Sequence, residues 1–505
     1  MAYLKDLLKN VTYMCMQGSV DCRIESIAQN SRQVQRHGMF ICIKGVREDG
    51  HNYITEAIGN GACVCVVEHN VVFEEQKMRG AVTIIRVRST KRALAEIAAA
   101  FYGYPARAMR LVGITGTKGK TTTAYMLYQM MIRAGISTGL IGTLGMQYQN
   151  VTYQLEVHRP NFNTTPDALL LQQQLREMAD SGCSDCIMEV SSQGLKNHRV
   201  EGIVFDAGVF TNLSEDHIGT GEHKNFREYA ACKKKLFHQS RCCIVNADDA
   251  YADYMISQNR CQKISYGIKA RAAYQAVEVS YCREQTGLGM SYWLRRNVRG
   301  SRGTEDMEQM KLFMPGVANV YNSLAATAAA EYLGISSEVI REVLRSVKVR
   351  GRIEEVSTPL AIDIIIDYAH NAVSLKQLLD TLRVYEPKRL VVLFGCGGNR
   401  SKLRRYQMGE VAGRMADYVI ITSDNPRFED PEAIIADIKI GIEKTKGSYQ
   451  AITDRREAIA YAIKNARPGD MIVLAGKGHE AYQEIEGQFY PMDEKQMIQE
   501  SIRGE

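Results

Sequence analysis

Apolar runs that alternate with helical patterns extend over most of the chain. They lie at 111–115, 186–190, 209–213, 362–369, 389–396, 418–424 and 471–476. Segments in which apolar residues recur with helical spacing separate these runs. Buried strands that alternate with helices are typical of a mostly parallel sheet that is covered on both faces. The pattern therefore predicts an α/β fold.

Two breaks in this alternation divide the chain into three predicted domains. The helix predicted at 91–103 is ended by a glycine and a proline. The stretch 272–314 has short alternating strands, and a second break follows near 347–351. A chain of 505 residues is also too long for one hydrophobic core. We predict a small α/β domain at 1–106, a central domain with a mostly parallel sheet at 107–348 and a Rossmann-like domain at 349–505.

The overall composition is that of an ordinary globular protein, with 45% hydrophobic and 24% charged residues. Neither an export signal nor an apolar run of about 18 residues is visible, so we expect a cytoplasmic protein without a membrane segment. The net charge of +6 is small for this length and gives no indication of nucleic-acid binding. Among the 13 cysteines, Cys183, Cys186, Cys242 and Cys243 lie in apolar runs, and there are no two CxxC segments with nearby histidines, which predicts buried reduced thiols.

The segment GTKGKTTT at 116–123 is the strongest chemical signal. It follows a predicted strand and precedes a predicted helix, which is the setting that a phosphate-binding loop requires. Its glycines let backbone N–H groups approach phosphates, Lys120 adds a positive charge, and Thr121 or Thr122 can hold magnesium. Ile114 stands where the general signature has glycine, so the spacing departs from that signature.

Two further polar side chains stand near the ends of central apolar runs. Glu189 belongs to the run 186–190, and His217 follows the run 209–213. Doubly wound sheets hold their ligands at the carboxyl edge of the strands. The flanking SS and NLSED segments favour a ligand site over a structural role for this pair. The lysine run 233–235 is by itself typical of a solvated helix face.

An ordered set of motifs along almost the whole chain resembles the Mur ligase family, in particular its MurE branch. The motifs are TGTKGKTT at 115–122, NTTP at 163–166, MEVSS at 188–192, HRVEG at 198–202, FTNLSEDH at 210–217, YAACKKKLF at 229–237, NVYNSLAATAA at 319–329, DYAHNAVSL at 367–375, DNPRFEDP at 424–431 and GKGHEAYQ at 476–483. The segment 30–54 is similar to the uridine-nucleotide-binding domain of that branch. The resemblance implies a three-domain α/β fold. It also implies an ATP-dependent ligase that joins a carboxylate to an amine through an acyl phosphate, in peptidoglycan synthesis.

The resemblance implies ATP and magnesium as cofactors. The residues expected to contact ATP are Gly116, Thr117, Lys118, Gly119, Lys120, Thr121, Thr122, Asn322, Arg352 and Asp367. Magnesium would be held by Thr121, Glu189, His217 and Lys233, and the catalytic residues would be Lys120, Glu189, His217 and Lys233. Lys233 matches the family lysine that carries a carbamate. This modification makes electrostatic sense, because an unmodified ammonium would repel the metal ion.

Two organic substrates are implied in the same way, a UDP-N-acetylmuramoyl dipeptide and a free amino acid. The acceptor would contact Ser31, His51, Thr164, Thr165, Ser191 and Arg199. The amino acid would contact Arg400, Asp424, Asn425, Arg427, Gly476 and Glu480. In this family the DNPR form goes with meso-diaminopimelate, whose distal carboxylate suits the guanidinium fork of Arg427. Glu480 would bind the distal ammonium, and we expect a monomer.

Several positions depart from the family pattern, and they leave the substrates open. They are Asn30, Gln193, Gly219, Arg350 and Asn399. A paralogue that adds L-Lys or another amino acid, or that uses a different carboxylate acceptor, is therefore an alternative. A phosphate-loop ATPase or kinase would not need Lys233 or the DNPR segment. A catalytically silent nucleotide-sugar-binding protein is disfavoured because all the catalytic residues of the family are present together.

Overall fold

The protein is represented by a computed structural model, which describes residues 2–45, 48–70, 82–148, 151–153, 163–216, 218–219, 222–284, 287–297 and 306–504. These residues divide into two compact units, one that ends at Ser265 and one that begins at Tyr266. None of the helices in these ranges has both the length and the hydropathy that a membrane span needs.

A small mixed sheet forms the N-terminal part of the first unit. Its elements are β1 (Ala2–Tyr3), α1 (Leu4–Leu7), β2 (Tyr13–Gln17), β3 (Arg23–Ile24), β4 (Ser26–Ala28), β5 (Gly38–Ile41), α2 (Ile54–Gly59), β6 (Ala62–Val67), β7 (Thr83–Val87) and α3 (Thr90–Phe101). The five-stranded sheet has the order β2-β7-β6-β5-β4, and β2 is its one antiparallel strand. Apolar side chains of α1 and α3 pack on this sheet. The helix predicted at 91–103 is confirmed as α3.

The remainder of the first unit is a mostly parallel sheet. Its elements are β8 (Arg110–Thr115), α4 (Lys120–Arg133), β9 (Thr138–Gly142), β10 (Gly145–Tyr148), β11 (Val151–Tyr153), α5 (Ala168–Asp180), β12 (Asp185–Glu189), α6 (Ser192–Lys196), β13 (Phe205–Phe210), α7 (Phe226–His238), β14 (Ser240–Asn246) and α8 (Ala252–Ile256). The order is β11-β10-β9-β12-β8-β13-β14, and β9, β12, β8, β13 and β14 are parallel. The side chains of β12 are buried on both faces, as a covered parallel sheet requires.

The expectation that every cysteine is a reduced thiol is wrong. Cys243 on β14 forms a disulfide with Cys261, and their Cα atoms are 6.3 Å apart. The remaining cysteines are free thiols. Cys186 and Cys242 are buried as predicted, whereas Cys15 is exposed and Cys22, Cys63 and Cys282 are only partly buried. Two cysteines can be bridged only where the fold brings their Cα atoms within reach of each other. The sequence spacing of this pair carries no such information.

The second unit begins with an antiparallel meander. The boundary between the units falls within β15 (Gln262–Gly267), which is followed by β16 (Tyr274–Glu284), β17 (Gly287–Arg296), β18 (Asp306–Leu312), α9 (Val317–Tyr332) and α10 (Ser337–Leu344). β16 pairs with β17, and β17 with β18, in antiparallel register. The alternating strands predicted at 272–314 are therefore confirmed.

A Rossmann-like sheet completes the second unit. Its elements are β19 (Glu354–Val356), β20 (Asp363–Asp367), α11 (Ala372–Arg383), β21 (Arg389–Phe394), α12 (Lys402–Met415), β22 (Tyr418–Ile421), α13 (Pro431–Ile442), β23 (Tyr449–Ala451), α14 (Arg455–Lys464), β24 (Asp470–Ala475), β25 (Tyr482–Ile485), β26 (Gln488–Pro491) and α15 (Glu494–Arg503). The order is β19-β20-β24-β21-β22-β23, with β19 antiparallel. Helices α11 to α13 pack on one face, and α14 and α15 pack on the other. The predicted α/β class is confirmed, and the domain limits near 106 and 348 stay predictions.

Candidate active site

The phosphate loop lies between the end of β8 and the start of α4. Gly116 and Gly119 have φ angles of +155° and +85°, which L side chains rarely adopt. A Cβ atom on Gly116 would lie 1.9 Å from the hydroxyl oxygen of Thr211, so this close approach also requires glycine. The Lys120 ammonium donates to the carbonyl oxygens of Gly116 at 2.8 Å and Thr117 at 2.9 Å. The loop is therefore folded around the lysine that is predicted to contact phosphates.

Two residues after β13 hold this loop in place. The Asn212 side-chain oxygen accepts from the Lys118 N–H at 2.9 Å, and the Thr211 hydroxyl donates to the Lys118 carbonyl at 2.6 Å. The strand predicted at 209–213 ends at Phe210, and this shorter strand lets both side chains turn toward the loop. Sequence reasoning missed these two anchors. The available signal was a polar Thr-Asn pair directly after an apolar run.

Glu189 is the last residue of β12, and its side chain is buried. One carboxylate oxygen accepts from the Thr121 hydroxyl at 2.8 Å and from the Thr143 hydroxyl at 3.2 Å. The other oxygen accepts from the backbone N–H of Thr143 at 2.7 Å. A Cβ atom on Gly142 would lie only 2.3 Å from this second oxygen. The carboxylate is thus held beside the phosphate loop, and Thr143 is a site residue that sequence reasoning missed.

The predicted acceptor contacts of the central sheet adjoin this carboxylate. The Thr164 hydroxyl lies 3.2 Å from the Thr143 hydroxyl. The Thr165 hydroxyl oxygen accepts from the Ser191 N–H at 2.8 Å, and the Arg199 guanidinium donates to the Thr165 carbonyl at 2.8 Å. The structure therefore brings Thr164, Thr165, Ser191 and Arg199 together. Thr164 and Thr165 lie in the segment that precedes α5, Ser191 lies in the turn after β12, and Arg199 follows α6.

Lys233 lies on α7, and its side chain is buried. Its amine donates to the Gly116 carbonyl at 2.6 Å and lies 4.6 Å from the centroid of the Tyr229 ring. Burial lowers the pKa of Lys233 well below its ordinary value, and the neighbouring Lys120 ammonium lowers the pKa further. The amine therefore reaches the phosphate loop and gives up its proton more readily than an exposed lysine.

The predicted magnesium ligands are only partly within the described residues. Thr121, Glu189 and Lys233 surround the phosphate loop, whereas His217 lies outside the described residues. In the ranges that the structure describes, no three His, Cys, Asp or Glu side chains are grouped closely enough to hold a metal ion. The hydroxyl and carboxylate oxygens of Thr121 and Glu189 are nevertheless the donor types that magnesium prefers.

Ser31 and His51 lie in the N-terminal part of the first unit, and both side chains are buried. The Ser31 hydroxyl donates to the Glu56 carboxylate at 2.7 Å. The Nε2 atom of His51 accepts from the Glu68 N–H at 3.0 Å, so Nδ1 carries the proton and donates to Asp49 at 2.5 Å. Each of the two predicted contacts to the uridine nucleotide is therefore oriented by an acidic side chain.

The other three predicted ATP contacts belong to the second unit. Asn322 is buried on α9. Asp367, the last residue of β20, accepts from the Ile353 N–H at 2.8 Å. The Arg352 guanidinium lies 4.7 Å from the centroid of the Tyr368 ring. Asp367 and Arg352 are therefore on adjacent segments, and Asn322 lies on a separate helix.

Most predicted amino-acid contacts lie in the loops that follow β22 and β24. The Asn425 side-chain nitrogen donates to Glu480 at 2.9 Å. The ammonium of Lys477, which is fully buried, donates to Asn425 at 2.8 Å and to Glu480 at 3.0 Å. A Cβ atom on Gly476 would lie 2.8 Å from the Asp424 carboxylate. Sequence reasoning missed Lys477, although it lies within the GKGHE motif.

Arg427 is already engaged within the protein. Its Nε atom donates to the Glu484 carboxylate at 2.8 Å, and one terminal nitrogen donates to the Gly398 carbonyl at 2.7 Å. The other terminal nitrogen takes part in neither contact. Arg400, the remaining predicted contact, is exposed in the loop that contains Gly398. The guanidinium of Arg427 is therefore held in one orientation, and 22% of the side chain remains exposed.

Three protein-family models match the chain in succession. The model for the Mur ligase family catalytic domain matches residues 23–102. The model for the Mur ligase middle domain matches residues 114–330, and the model for the Mur ligase glutamate ligase domain matches residues 351–478. Together these matches include the phosphate loop and the predicted amino-acid contacts of the second unit except Glu480, which lies just beyond residue 478.

Relatives agree with these matches along their full length. A protein from Caldanaerobacter subterraneus subsp. tengcongensis named UDP-N-acetylmuramoyl-L-alanyl-D-glutamate--2,6-diaminopimelate ligase is 39% identical, over 99% of this chain and 98% of its own. A Clostridium acetobutylicum protein of that name, numbered 2, is also 39% identical, over 99% of both chains. A solved structure of a ligase with that name aligns with 100% of this chain and 99% of its own, at 27% identity and a TM-score of 0.68. The chain therefore belongs to the Mur ligase family of ATP-dependent, ADP-forming ligases.

Proposed function

We propose that the protein adds meso-diaminopimelate to UDP-N-acetylmuramoyl-L-Ala-D-Glu in peptidoglycan synthesis. The observation that carries this proposal is the convergence of Lys120, Glu189 and Lys233 on one phosphate loop. The substrates in the names of the relatives support the same choice. The combination of the DNPR and GKGHE segments adds support for a diamino acid.

The first chemical step would bring two anions together. A carboxylate of the acceptor attacks the terminal phosphoryl group of ATP, an acyl phosphate forms, and ADP leaves. Lys120 can exchange its loop carbonyl partners for phosphate oxygens, where its charge offsets the repulsion. The acceptor would be oriented for this attack by Thr164, Thr165, Ser191 and Arg199, and its uridine nucleotide by Ser31 and His51. An attacking group that is held in position reacts without a further entropic cost of approach.

We propose Thr121, Glu189, His217 and Lys233 as the magnesium site. The Glu189 carboxylate and the Thr121 hydroxyl are 2.8 Å apart and offer oxygen donors of the kind that magnesium binds. When bound, magnesium supplies positive charge at the phosphates. His217 is included as a magnesium ligand on the basis of its sequence motif alone.

A carbamate on Lys233 is part of the proposal. Formation of a carbamate requires a neutral amine that attacks carbon dioxide, and the lowered pKa of Lys233 increases the neutral fraction. The product carries a negative charge, which reverses the sign of the group at the metal site. The nearby Lys120 ammonium would then stabilise the modified side chain, because opposite charges attract.

The second chemical step would use the Rossmann-like sheet. We propose that Arg400, Asp424, Asn425, Arg427, Gly476 and Glu480 bind the amino acid. The Arg427 guanidinium would take the distal carboxylate, and Glu480, whose carboxylate accepts from the Lys477 side chain at 3.0 Å, would take the distal ammonium. The bound amine attacks the acyl phosphate, an amide forms and phosphate leaves. Asn322, Arg352 and Asp367 are proposed to bind ATP in the same reaction.

We propose domain limits of 1–106, 107–348 and 349–505, in accord with the family matches at 23–102, 114–330 and 351–478. We also propose a monomer that works in the cytoplasm, where ATP and nucleotide-linked precursors are present.

A phosphate-release assay tests the proposal. The protein is incubated with magnesium ATP and UDP-N-acetylmuramoyl-L-Ala-D-Glu, with and without an amine, and Lys120→Ala is the inactive control. We expect release that requires both the acceptor and an amine. Release without an amine would indicate an ATPase and contradict the proposal. A paralogue that adds L-Lys is the second candidate, and it predicts that lysine replaces diaminopimelate in this assay.

A further inference from the structure

Two loops at the carboxyl ends of β21 and β22 are joined to each other. We name residues 395–400 the glycine loop and residues 422–429 the arginine loop. The Gly398 N–H donates to the Asn425 carbonyl at 2.8 Å, and the Gly398 carbonyl accepts from Arg427 at 2.7 Å. A Cβ atom on Gly398 would lie 1.8 Å from the Pro426 carbonyl oxygen. The backbones therefore touch at a point where any other residue would force them apart.

The arginine loop ends at Glu429, and this residue makes a second connection. Its carboxylate accepts from the backbone N–H of Asn399 in the glycine loop. Both carboxylate oxygens also accept from the Arg405 guanidinium, each at 2.8 Å. The Asn399 side-chain oxygen in turn accepts from the Phe428 N–H at 3.4 Å. Glu429 thus links the two loops to each other and to α12.

Arg405 is the buried residue to which Glu429 is bonded. It lies in the first half of α12, directly after the glycine loop, and its side chain is 1% exposed. A guanidinium stays charged in a protein interior, so burial requires anionic partners. The second partner is Asp437 on α13, which accepts from Arg405 at 2.9 Å. The helix after each loop therefore contributes to one buried ion network.

Glu429 is ionised in this network. Burial opposes its ionisation, but hydrogen bonds from Arg405 and from the Asn399 backbone outweigh that effect and leave the pKa of Glu429 below its ordinary value. Both oxygens are already occupied by these donors. Each carboxylate oxygen of Glu429 therefore accepts at least one hydrogen bond from the glycine loop or from α12.

We propose that Glu429 and Arg405 are positioning residues for the amino-acid substrate. This inference rests on the proposed function, in which Arg400 and Arg427 bind that substrate. Arg400 belongs to the glycine loop and Arg427 to the arginine loop, so the distance between them depends on how firmly the loops are joined. Loss of the Glu429 connection lets the loops separate and weakens amino-acid binding, whereas the phosphate loop in the other unit is unaffected.

The test compares Glu429→Gln with Asp437→Asn. Each variant removes one negative charge that neutralises Arg405. Glu429 also bonds the glycine loop, whereas Asp437 bonds side chains of α12, those of Arg405 at 2.9 Å and Tyr406 at 3.4 Å. We expect Glu429→Gln to raise KM for the amino acid about tenfold, since charged hydrogen bonds to the loop are lost. In this variant kcat and KM for ATP stay within about twofold of wild type. Asp437→Asn is expected to change KM for the amino acid less than about twofold.

Hydrogen exchange of the Gly398 and Asn399 amides gives a second readout that needs no activity. We expect faster exchange at both amides in Glu429→Gln and wild-type rates in Asp437→Asn, because local opening exposes these amides to solvent. If Glu429→Gln does not fold, Glu429→Asp is used, which keeps the charge but is too short to reach Arg405 and Asn399 together.

The outcomes separate this inference from the proposed function. A wild-type KM in Glu429→Gln, or an equal increase in Asp437→Asn, would overturn the positioning role. A wild-type protein that forms no amide with any amine would instead refute the proposed function and, with it, the link to a substrate. A selective increase in KM together with faster amide exchange supports the inference.

Discussion

At the scale of single residues, the environment of Lys233 decides how the site can work. The buried amine of Lys233 donates to the Gly116 carbonyl at 2.6 Å, and the Lys120 ammonium donates to the same carbonyl at 2.8 Å. Burial and this neighbour both lower the pKa of Lys233. The arrangement is unfavourable for two ammonium groups and becomes favourable when Lys233 carries a carbamate.

Replacement of this lysine tests its role directly. Lys233→Met keeps the length and the apolar stem but cannot form a carbamate, so we expect ADP formation to fall by about 100-fold or more. Lys234→Met, at the adjacent part-buried lysine that donates to Ser257 at 2.7 Å, is the matched control and should keep activity near wild type. The wild-type protein in 13C-bicarbonate should also show a carbamate carbon signal that Lys233→Met lacks. Full activity of Lys233→Met would exclude the carbamate from the mechanism.

The same lysine predicts a pH dependence of stability. Between the lowered pKa and the ordinary value of 10.5, the unfolded chain binds one more proton at this position than the folded chain. The free energy of unfolding of the unmodified protein therefore rises with pH in this window, by at most about 1.4 kcal/mol per pH unit. Urea unfolding in buffer free of carbon dioxide should show a steeper rise for wild type than for Lys233→Met. Equal slopes would mean that the pKa is not lowered.

Residue identities near the site were predictable where the contacts are local. Lys120, Thr121 and Thr122 lie within one eight-residue segment, so their spacing alone indicates phosphate chemistry. Thr143 could not be found in this way, because the pairing of β9 with β12 brings it to Glu189.

At Asn30, a departure from the family pattern, the side-chain oxygen accepts from the Arg32 N–H at 3.1 Å, as an aspartate oxygen would.

At the scale of secondary-structure elements, the carboxyl end of β9 sets the position of the Glu189 carboxylate. Gly142→Ala would place a methyl group 2.3 Å from a carboxylate oxygen, so the carboxylate must move away from Thr143. We expect a loss of about 1–3 kcal/mol in the free energy of unfolding, as for other overpacked sites, and a higher magnesium requirement. Gly59→Ala is the control, since no atom lies within 4 Å of its Cβ position. Equal urea midpoints for the two variants would contradict this account of β9.

The loop after β22 gives a prediction about selectivity. Arg427→Lys retains the positive charge. A lysine ammonium cannot donate to Glu484 and Gly398 and also offer a carboxylate the paired donors of a guanidinium. We expect the preference for diaminopimelate over lysine, measured as a ratio of kcat/KM values, to fall about tenfold or more. Arg414→Lys, at an exposed position on α12, is the control. An unchanged ratio would remove Arg427 from the specificity site.

The order of strands and helices was largely predictable, because both parallel sheets are buried and read as apolar runs. Their exact ends were not predictable. β13 stops at Phe210, three residues before the predicted end, and the residues so released anchor the phosphate loop. The contact between Arg427 and Glu484 joins the loop after β22 to β25, and no local pattern reports such a distant pairing.

At the scale of the whole molecule, the predicted residues form two sets. The phosphate loop, Glu189 and Lys233 belong to the first unit, and the DNPR and GKGHE segments belong to the second. The sequence could identify both sets because each lies in motifs that resemble those of the Mur ligase family. His217, the remaining predicted magnesium ligand, lies outside the described residues. We therefore expect that phosphate chemistry and amino-acid choice can be altered separately by mutation.

The most direct test of the central claim is the mass of the product formed in competition. The protein is given magnesium ATP, UDP-N-acetylmuramoyl-L-Ala-D-Glu and an equimolar mixture of meso-diaminopimelate, lysine and ornithine. We predict one main product, whose mass equals that of the acceptor plus diaminopimelate minus water, with one ADP formed per product. A main product that contains lysine or ornithine, or ADP formation without an amide product, would contradict it.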